Sequence, residues 1–163
     1  MCQQDVYCPV ILPCNHYLCI NCVDNLISQN ICQKCPACDG QCTNLAEIKS
    51  NYKLSKIKDY GFNIGDTVWF YSGRGHNWLY GKEHCIKLNQ AYNLYVNKQT
   101  FLHTIEIQIF INNNYQTYII DFDNMCQYPN TNMNIKRKIG YFKLSCHSVF
   151  IDNDIVGVSG QKF

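Results

Sequence analysis

Cys14-Asn15-His16-Tyr17-Leu18-Cys19-Ile20-Asn21-Cys22, followed by Cys35-Pro36-Ala37-Cys38, spells C-x-H-x-x-C-x-x-C and then C-x-x-C. That is the donor spacing of a zinc module. Zinc takes four thiolate or imidazole ligands in a tetrahedron, and a Cys-x-x-Cys step lets one turn aim two thiolates at the same ion. Cys14, His16, Cys19, Cys22, Cys35 and Cys38 together supply six donors, too many for one ion and two short of two. The remaining ligands are expected upstream, where Cys2 and Cys8 stand.

Working outward, the metal motif lies in a quarter of the chain unlike the rest. Of the 12 cysteines in 163 residues, all but Cys85, Cys126 and Cys146 precede residue 43. About 40 residues bury too little apolar surface to fold alone, and such segments rely on metals or disulfides. The opening Met1-Cys2-Gln3-Gln4-Asp5 has neither a basic start nor an apolar run, so nothing marks the chain for secretion. Zinc in a reducing compartment, cytoplasm or nucleus, is therefore expected over disulfides. No run approaches the roughly 20 apolar residues of a membrane span. A net charge of +2 makes general attraction to nucleic acid or membrane an unpromising theme.

Beyond the cysteine-rich quarter, residues 45 to 58 carry Leu45, Ile48, Tyr52 and Leu54 among lysines, and read as a short linker helix. Thr67-Val68-Trp69-Phe70-Tyr71 is a β-prone run stopping at Ser72-Gly73-Arg74-Gly75, a strand entering a turn. Tyr80 to Tyr95 reads as a helix, because Cys85, Leu88, Tyr92 and Tyr95 recur at steps of three and four. Phe101 to Ile111 and Tyr115 to Phe122 form a hairpin around Asn112-Asn113-Asn114, since Asn tolerates the left-handed turn. Shorter runs at Met125 to Tyr128, Ile139 to Leu144 and Ser148 to Ile151 complete a curved sheet around the one helix.

The segment Cys14 to Cys38, preceded by Pro9-Val10-Ile11-Leu12-Pro13, resembles the RING finger of ubiquitin ligases. Val68-Trp69-Phe70-Tyr71-Ser72-Gly73-Arg74, Asn77-Trp78-Leu79-Tyr80, Tyr118 to Tyr128 and Lys136-Arg137-Lys138-Ile139 resemble a WWE domain. In this order the two resemble the Iduna-type ligases, where a RING precedes a WWE domain that binds poly(ADP-ribose). The implied fold class is α+β: a small cross-braced RING, then a curved antiparallel sheet packed on one helix. The implied boundaries are a RING over residues 1–42, incomplete at its start, a linker over 43–64, a WWE domain over 65–145, and a C-terminal strand or tail over 146–163.

The RING resemblance implies two zinc ions. Cys14, His16, Cys35 and Cys38 would hold one, and Cys19 and Cys22 the other with an earlier pair. Cys2 falls at the second place of that pair, and the first would lie just before Met1. A shortened start, a substitution by Cys8 and a lost or water-capped ion are the alternatives; the eleven residues between Cys2 and Cys14 favour the first. Cys32 and Cys42 read as spare thiols. The resemblance further implies that Val10 or Leu12, Leu26 or Ile27, and Pro36 dock a ubiquitin-conjugating enzyme, although Leu26 and Ile27 equally suit core packing. After the last ligand, where many active RINGs carry an arginine or lysine, this chain has Asp39.

The WWE resemblance implies a poly(ADP-ribose) site made of Tyr71, Trp78, Tyr118, Gln127 and Arg137. Arg137 can fork two hydrogen bonds onto a phosphate, the tyrosines offer ring faces and hydroxyls, Trp78 a wall, and Gln127 both a donor and an acceptor. Against this stands the ordinary reading, that aromatics on a sheet are packing and a Lys-Arg-Lys run is a solvated face. Trp69 belongs to the core on either view, and Asn77 stands where another tryptophan would be expected. His76, His84, His103 and His147 lack ligand spacing. The implied function is a poly(ADP-ribose)-guided RING-type ubiquitin ligase, with a non-catalytic reader carrying a degenerate RING as the alternative. A zinc-dependent nucleic-acid binder is disfavoured by the small charge and the lack of a basic stripe.

Overall fold

The computed structural model describes residues 9–28, 34–111, 113–145 and 155–163. The chain divides into two compact units, Met1–Lys56 and Ile57–Phe163. Cys2, Cys8, Cys32 and the expected strand at Ser148 to Ile151 lie outside the described residues.

In the first unit, β1 (Pro9–Ile11) pairs antiparallel with β2 (Tyr17–Cys19), with Val10 opposite Leu18. The connecting turn closes through the Leu12 amide on the His16 carbonyl at 2.9 Å and the Asn15 amide on the Leu12 carbonyl at 2.9 Å. Asn15 takes φ 62, a left-handed conformation that asparagine enters at little cost. Helix α1 (Ile20–Ser28) follows directly, and α2 (Leu45–Asp59) begins in this unit. Val10, Leu12, Leu18, Val23, Cys35, Cys42 and Leu45 form its small core, with Leu26, Ile27, Ile48 and Tyr52 packed alongside. Two of those seven core residues are cysteines, and so small a core gains stability from a bound metal.

The second unit is one sheet of eight strands in the order β10-β9-β4-β3-β8-β7-β6-β5. The strands are β3 (Thr67–Gly73), β4 (His76–Leu79), β5 (Thr104–Ile111), β6 (Asn114–Asp121), β7 (Cys126–Pro129), β8 (Arg137–Lys143), β9 (Ile155–Val158) and β10 (Gln161–Lys162). Every described pairing is antiparallel except β4 with β9. The expected antiparallel sheet is therefore mixed, because the chain returns to add β9 alongside β4 in the same direction.

One helix, α3 (Lys82–Val96), covers the inner face at one end. It starts two residues later than its periodicity suggested, since Tyr80 is still paired to the sheet: its amide donates to the Trp69 carbonyl at 2.9 Å. Cys85 and Leu88 of α3 are buried, and Asn89 accepts the Trp69 indole N–H at 2.7 Å. Around Trp69, which is wholly buried, the rings of Tyr92, Phe122 and Tyr141 meet at centroid distances of 5.2, 6.2 and 4.8 Å. The β5–β6 hairpin forms as expected, with Asn113 at φ 62, but β5 begins at Thr104. Thr104 pairs with Asp121, the last residue of β6, so Phe101 and Leu102 have no partner strand and stay exposed.

Candidate functional site

Strand alternation decides which side chains meet. Because successive residues face opposite sides, Trp69, Tyr71 and Gly73 of β3 share the inner face with their cross-strand partners. Tyr71 is registered with Trp78 on one side and Ile139 on the other, Gln127 with Arg137 and Ile120, and Ile107 with Tyr118. All five residues expected at the ligand site thus share one face of the sheet. With α3 filling one end, the other end is left as an open cleft of about 250 Å³.

That cleft is lined by Tyr71, Trp78, Tyr118 and Arg137, joined by Arg74, Gln116, Ile111 and the glycines Gly73 and Gly160. Trp78 is held by its indole N–H, which donates to the Gly73 carbonyl at 3.0 Å. Tyr118 donates its hydroxyl to Gln116 Oε1 at 3.0 Å. Arg74 sits at the β3–β4 turn, where Arg74 and Gly75 take φ 55 and 78, the double left-handed pair of a two-residue hairpin. Neither Arg74 nor Arg137 has a carboxylate partner among the described residues. Burial pushes the Tyr71 hydroxyl's pKa up, against the pull of the Arg137 and Arg74 charges. Two guanidinium groups without a carboxylate partner among the described residues, beside aromatic walls, have the chemistry to hold an anion next to a stacked ring.

Gln127 is placed differently from its expected role. It is 1 % exposed and does not line the cleft; its Oε1 accepts the Tyr80 hydroxyl at 2.8 Å. It stands behind the cleft wall, directly opposite Arg137. Sequence reasoning missed Arg74, Gln116, Ile111 and Gly160. Gln116 could have been found by stepping two residues from Tyr118 along the pleat, and Ile111 by stepping two more to Asn114 and crossing the hairpin, whereas no local signal marks Gly160.

A larger hollow of about 390 Å³ lies between α3 and the edge strand β5, lined by Glu83, His84, Lys87, Glu106 and Gln108. Its basic side chains already have partners: Lys87 donates to the Glu106 carbonyl at 2.7 Å, and His84 Nε2 lies 2.8 Å from the Gln108 carbonyl. These contacts cap the open edge of the sheet and shield it from pairing with another strand.

In the first unit, Cys14, His16, Cys35 and Cys38 bring their ligand atoms within 4.8 Å of one another. Cys14 and His16 come from the β1–β2 turn. Cys35 and Cys38 come from a second knuckle closed by the Cys35 amide on the Gly40 carbonyl at 2.8 Å and the Asp39 amide on the Cys35 carbonyl at 2.9 Å. The Ala37 amide reaches the Cys35 Sγ at 3.4 Å. Burial opposes ionisation of Cys35, but the amides of Ala37 and Cys38 with the neighbouring Cys14 and Cys38 thiols outweigh it and lower its pKa; at Cys38 the Gly40 amide favours the thiolate, yet burial and the crowding of Cys14 and Cys35 together raise the pKa. Three sulfurs and one imidazole this close suit a tetrahedral ion with bonds of about 2.3 Å to sulfur and about 2.0 Å to nitrogen. Zinc would cross-link two turns otherwise far apart in sequence. Cys22 is half-buried beside the core, and Cys19 ends β2.

The residues expected to dock a conjugating enzyme separate by burial. Val10 and Leu12 are 4 % and 1 % exposed, so no partner can touch them. They are core residues, and it is Ile11 between them, 55 % exposed, that faces outward. The physical reason is the pleat: Val10 faces Leu18 and the core, which turns Ile11 out. Leu26 and Ile27 are half-buried against the core, and Pro36 is exposed.

Comparison with known proteins agrees with this geometry. The C3HC4-type zinc finger (RING finger) profile matches residues 1–38, and the WWE domain profile matches residues 67–139. The chain is 28 % identical over 141 residues to the E3 ubiquitin-protein ligase rnf146 of Salmo salar, and 26 % identical over 140 residues to E3 ubiquitin-protein ligase RNF146 of Pongo abelii. Each alignment covers 85 % of this chain but 37 % and 36 % of the relative, so the chain spans little more than a third of the length of these curated relatives.

Proposed function

This chain joins a RING-type zinc finger to a WWE domain, and from that premise we propose that it is a poly(ADP-ribose)-guided RING-type ubiquitin ligase. The observation that carries the reading is the cleft itself. Arg74 and Arg137, both unpaired among the described residues, face one hollow with Tyr71, Trp78 and Tyr118. Poly(ADP-ribose) repeats a flat base, ribose hydroxyls and two phosphates. The guanidinium groups would fork onto phosphate, the tyrosine hydroxyls would bond ribose or phosphate oxygens, and the rings would wall the sugar and base. Gln127 would act by holding Tyr80 beneath Tyr71, whose rings lie 5.1 Å apart.

The first unit would bind two zinc ions, one at Cys14, His16, Cys35 and Cys38, and one at Cys19 and Cys22 with Cys2. The zinc supplies a rigid cross-link and no bond-making. A ubiquitin-conjugating enzyme would dock across Pro36, with Leu26 and Ile27 at the margin, and Ile11 is the exposed neighbour suited to extend that surface. There the substrate lysine attacks the thioester carbonyl and the conjugating enzyme's cysteine leaves; the RING contributes orientation alone. Free cysteines throughout the described residues suit the cytoplasm or nucleus.

The test is ubiquitin-chain formation by the full chain with a conjugating enzyme, with and without poly(ADP-ribose), alongside calorimetric titration with iso-ADP-ribose. Polymer-dependent chains and measurable heat support the reading; no heat removes it. Asp39 favours a second reading. It is exposed at φ 58, where an arginine or lysine would be wanted to clamp ubiquitin onto the conjugating enzyme. Binding of iso-ADP-ribose without any ubiquitin chains would leave a poly(ADP-ribose) reader with a structural RING.

A further inference from the structure

The cleft is lined by Ile111 at the end of β5 and by Gly160 between β9 and β10, yet those elements lie at opposite edges of the sheet. At about 4.8 Å per strand, the six steps from β9 to β5 would span roughly 29 Å in a flat sheet. A hollow of about 250 Å³ can touch both only because the sheet curls until its edges approach. The β9–β10 hairpin therefore forms a wall of the cleft, although it lies beyond the residues 67–139 that match the WWE domain.

The hairpin is firmly seated. Val158 pairs with Gln161 across a two-residue turn, Ser159 at φ 49 and Gly160 at φ 82, the geometry of a tight hairpin. β9 runs beside β4 with Trp78 opposite Gly157, and the Ser159 amide donates to the Leu79 carbonyl at 2.7 Å. Ile155 and Val158 are 1 % and 2 % exposed. Gly157 is also required, since a Cβ there would fall 1.9 Å from the Gln161 carbonyl oxygen. At Gly160 the situation is the reverse. A Cβ there would meet only the Tyr71 hydroxyl, at 3.9 Å. Among the described residues that hydroxyl has no hydrogen-bond partner, and the charges of Arg137 and Arg74 act on it.

We propose that Gly160 sets the width of the cleft: its missing side chain leaves room for a ligand hydroxyl or phosphate oxygen between the β9–β10 turn and the Tyr71 hydroxyl. The C-terminal hairpin is thus a specificity element added to the matched domain. This rests on the sugar-phosphate reading of the cleft. An asparagine tolerates the left-handed backbone while filling that space, so Gly160→Asn keeps the turn and removes the room. Calorimetry of the full chain with iso-ADP-ribose is expected to show at least a tenfold weaker binding for Gly160→Asn than for wild type, and a double-mutant cycle with Tyr71→Phe is expected to be non-additive. Should the variant fold poorly, an NMR titration of wild type decides, with the Gly160 amide expected to shift on adding iso-ADP-ribose. A wild type that binds while Gly160→Asn binds as tightly, or whose Gly160 amide is unmoved, overturns this inference alone. A wild type that binds no iso-ADP-ribose overturns the function and this inference together.

Discussion

Arg137 and Gln127 face each other across two strands, yet one is exposed to the cleft and the other is sealed behind it, so their substitutions should fail in different ways. Arg137→Ala removes a charge-assisted contact worth about 1.5–3 kcal/mol, roughly 10- to 150-fold in affinity. The melting temperature should hardly move, because no described group depends on the guanidinium. Gln127→Leu instead strands the buried Tyr80 hydroxyl, at a cost of about 1–3 kcal/mol in stability. Binding loss and thermal destabilisation should therefore appear together for Gln127 and apart for Arg137, which calorimetry and thermal melts on the same samples would check. Two titratable residues make further expectations. Burial pushes the Cys85 thiol up to about 12, so Cys85 should resist alkylation in the native protein at pH 8 while exposed Cys38 reacts once metal is removed. The Asn63 amide, with Lys82 beside it, holds the Asp66 carboxyl below its usual range. A depressed carboxyl stabilises the fold above its unfolded pKa and loses that contribution as pH falls through the folded one. Asp66→Asn should cost no more than about 1 kcal/mol at neutral pH, since the pair is partly exposed, and nothing in strong acid; denaturant melts across pH would show the two curves converging at the acid end.

At the scale of elements, β3 and β8 are locked by the fit of a ring over a glycine. Gly140 pairs with Phe70, and a Cβ on Gly140 would sit 2.6 Å from the ring. Phe70 is half-buried, so it can swing only in part, and Gly140→Ala should destabilise the second unit by about 1–3 kcal/mol in denaturant melts. The zinc knuckles behave in the opposite manner: their geometry is built from turns, an amide-to-sulfur contact and a positive-φ Asn15 and Asp39, over a small core. Cys35→Ala should accordingly unfold the first unit, with roughly 10 kcal/mol of metal-linked folding energy at stake. A variant that kept native circular dichroism and bound one equivalent of zinc would count against the cluster. The strands of the second unit were largely legible in the chain, because alternating β-branched and aromatic residues bracketed by Asn and Gly leave few alternatives. Their ends were less so: Phe101 and Leu102 are as β-prone as the residues after them, and only the length of β6 decides where pairing begins.

For the whole molecule, the division into two units predicts that metal and ligand can be removed separately. A chelator should strip the Cys14, His16, Cys35 and Cys38 cluster and abolish any ubiquitin-chain formation, while iso-ADP-ribose binding by the second unit persists. Loss of both on chelation would mean that the cleft depends on the zinc module.

The amino-acid sequence by itself determined the six candidate zinc donors, the α3 helix and the β5–β6 hairpin, because spacing along a turn and alternation along a strand are local properties; Tyr71, Trp78, Tyr118 and Arg137 of the cleft came from the resemblance to a WWE domain. Tertiary structure alone decided the rest. Alternation tells which residues share a face, but the curl of the sheet tells which face is closed by α3, so Gln127 is sealed and Arg74 admitted. Val10 and Leu12 are equally apolar whether they pack inward or greet a partner, and only the pairing of β1 with β2 turns them in. Gly160 enters the cleft because the two edges of one sheet approach each other, and closure between distant segments leaves no mark on the residues between them.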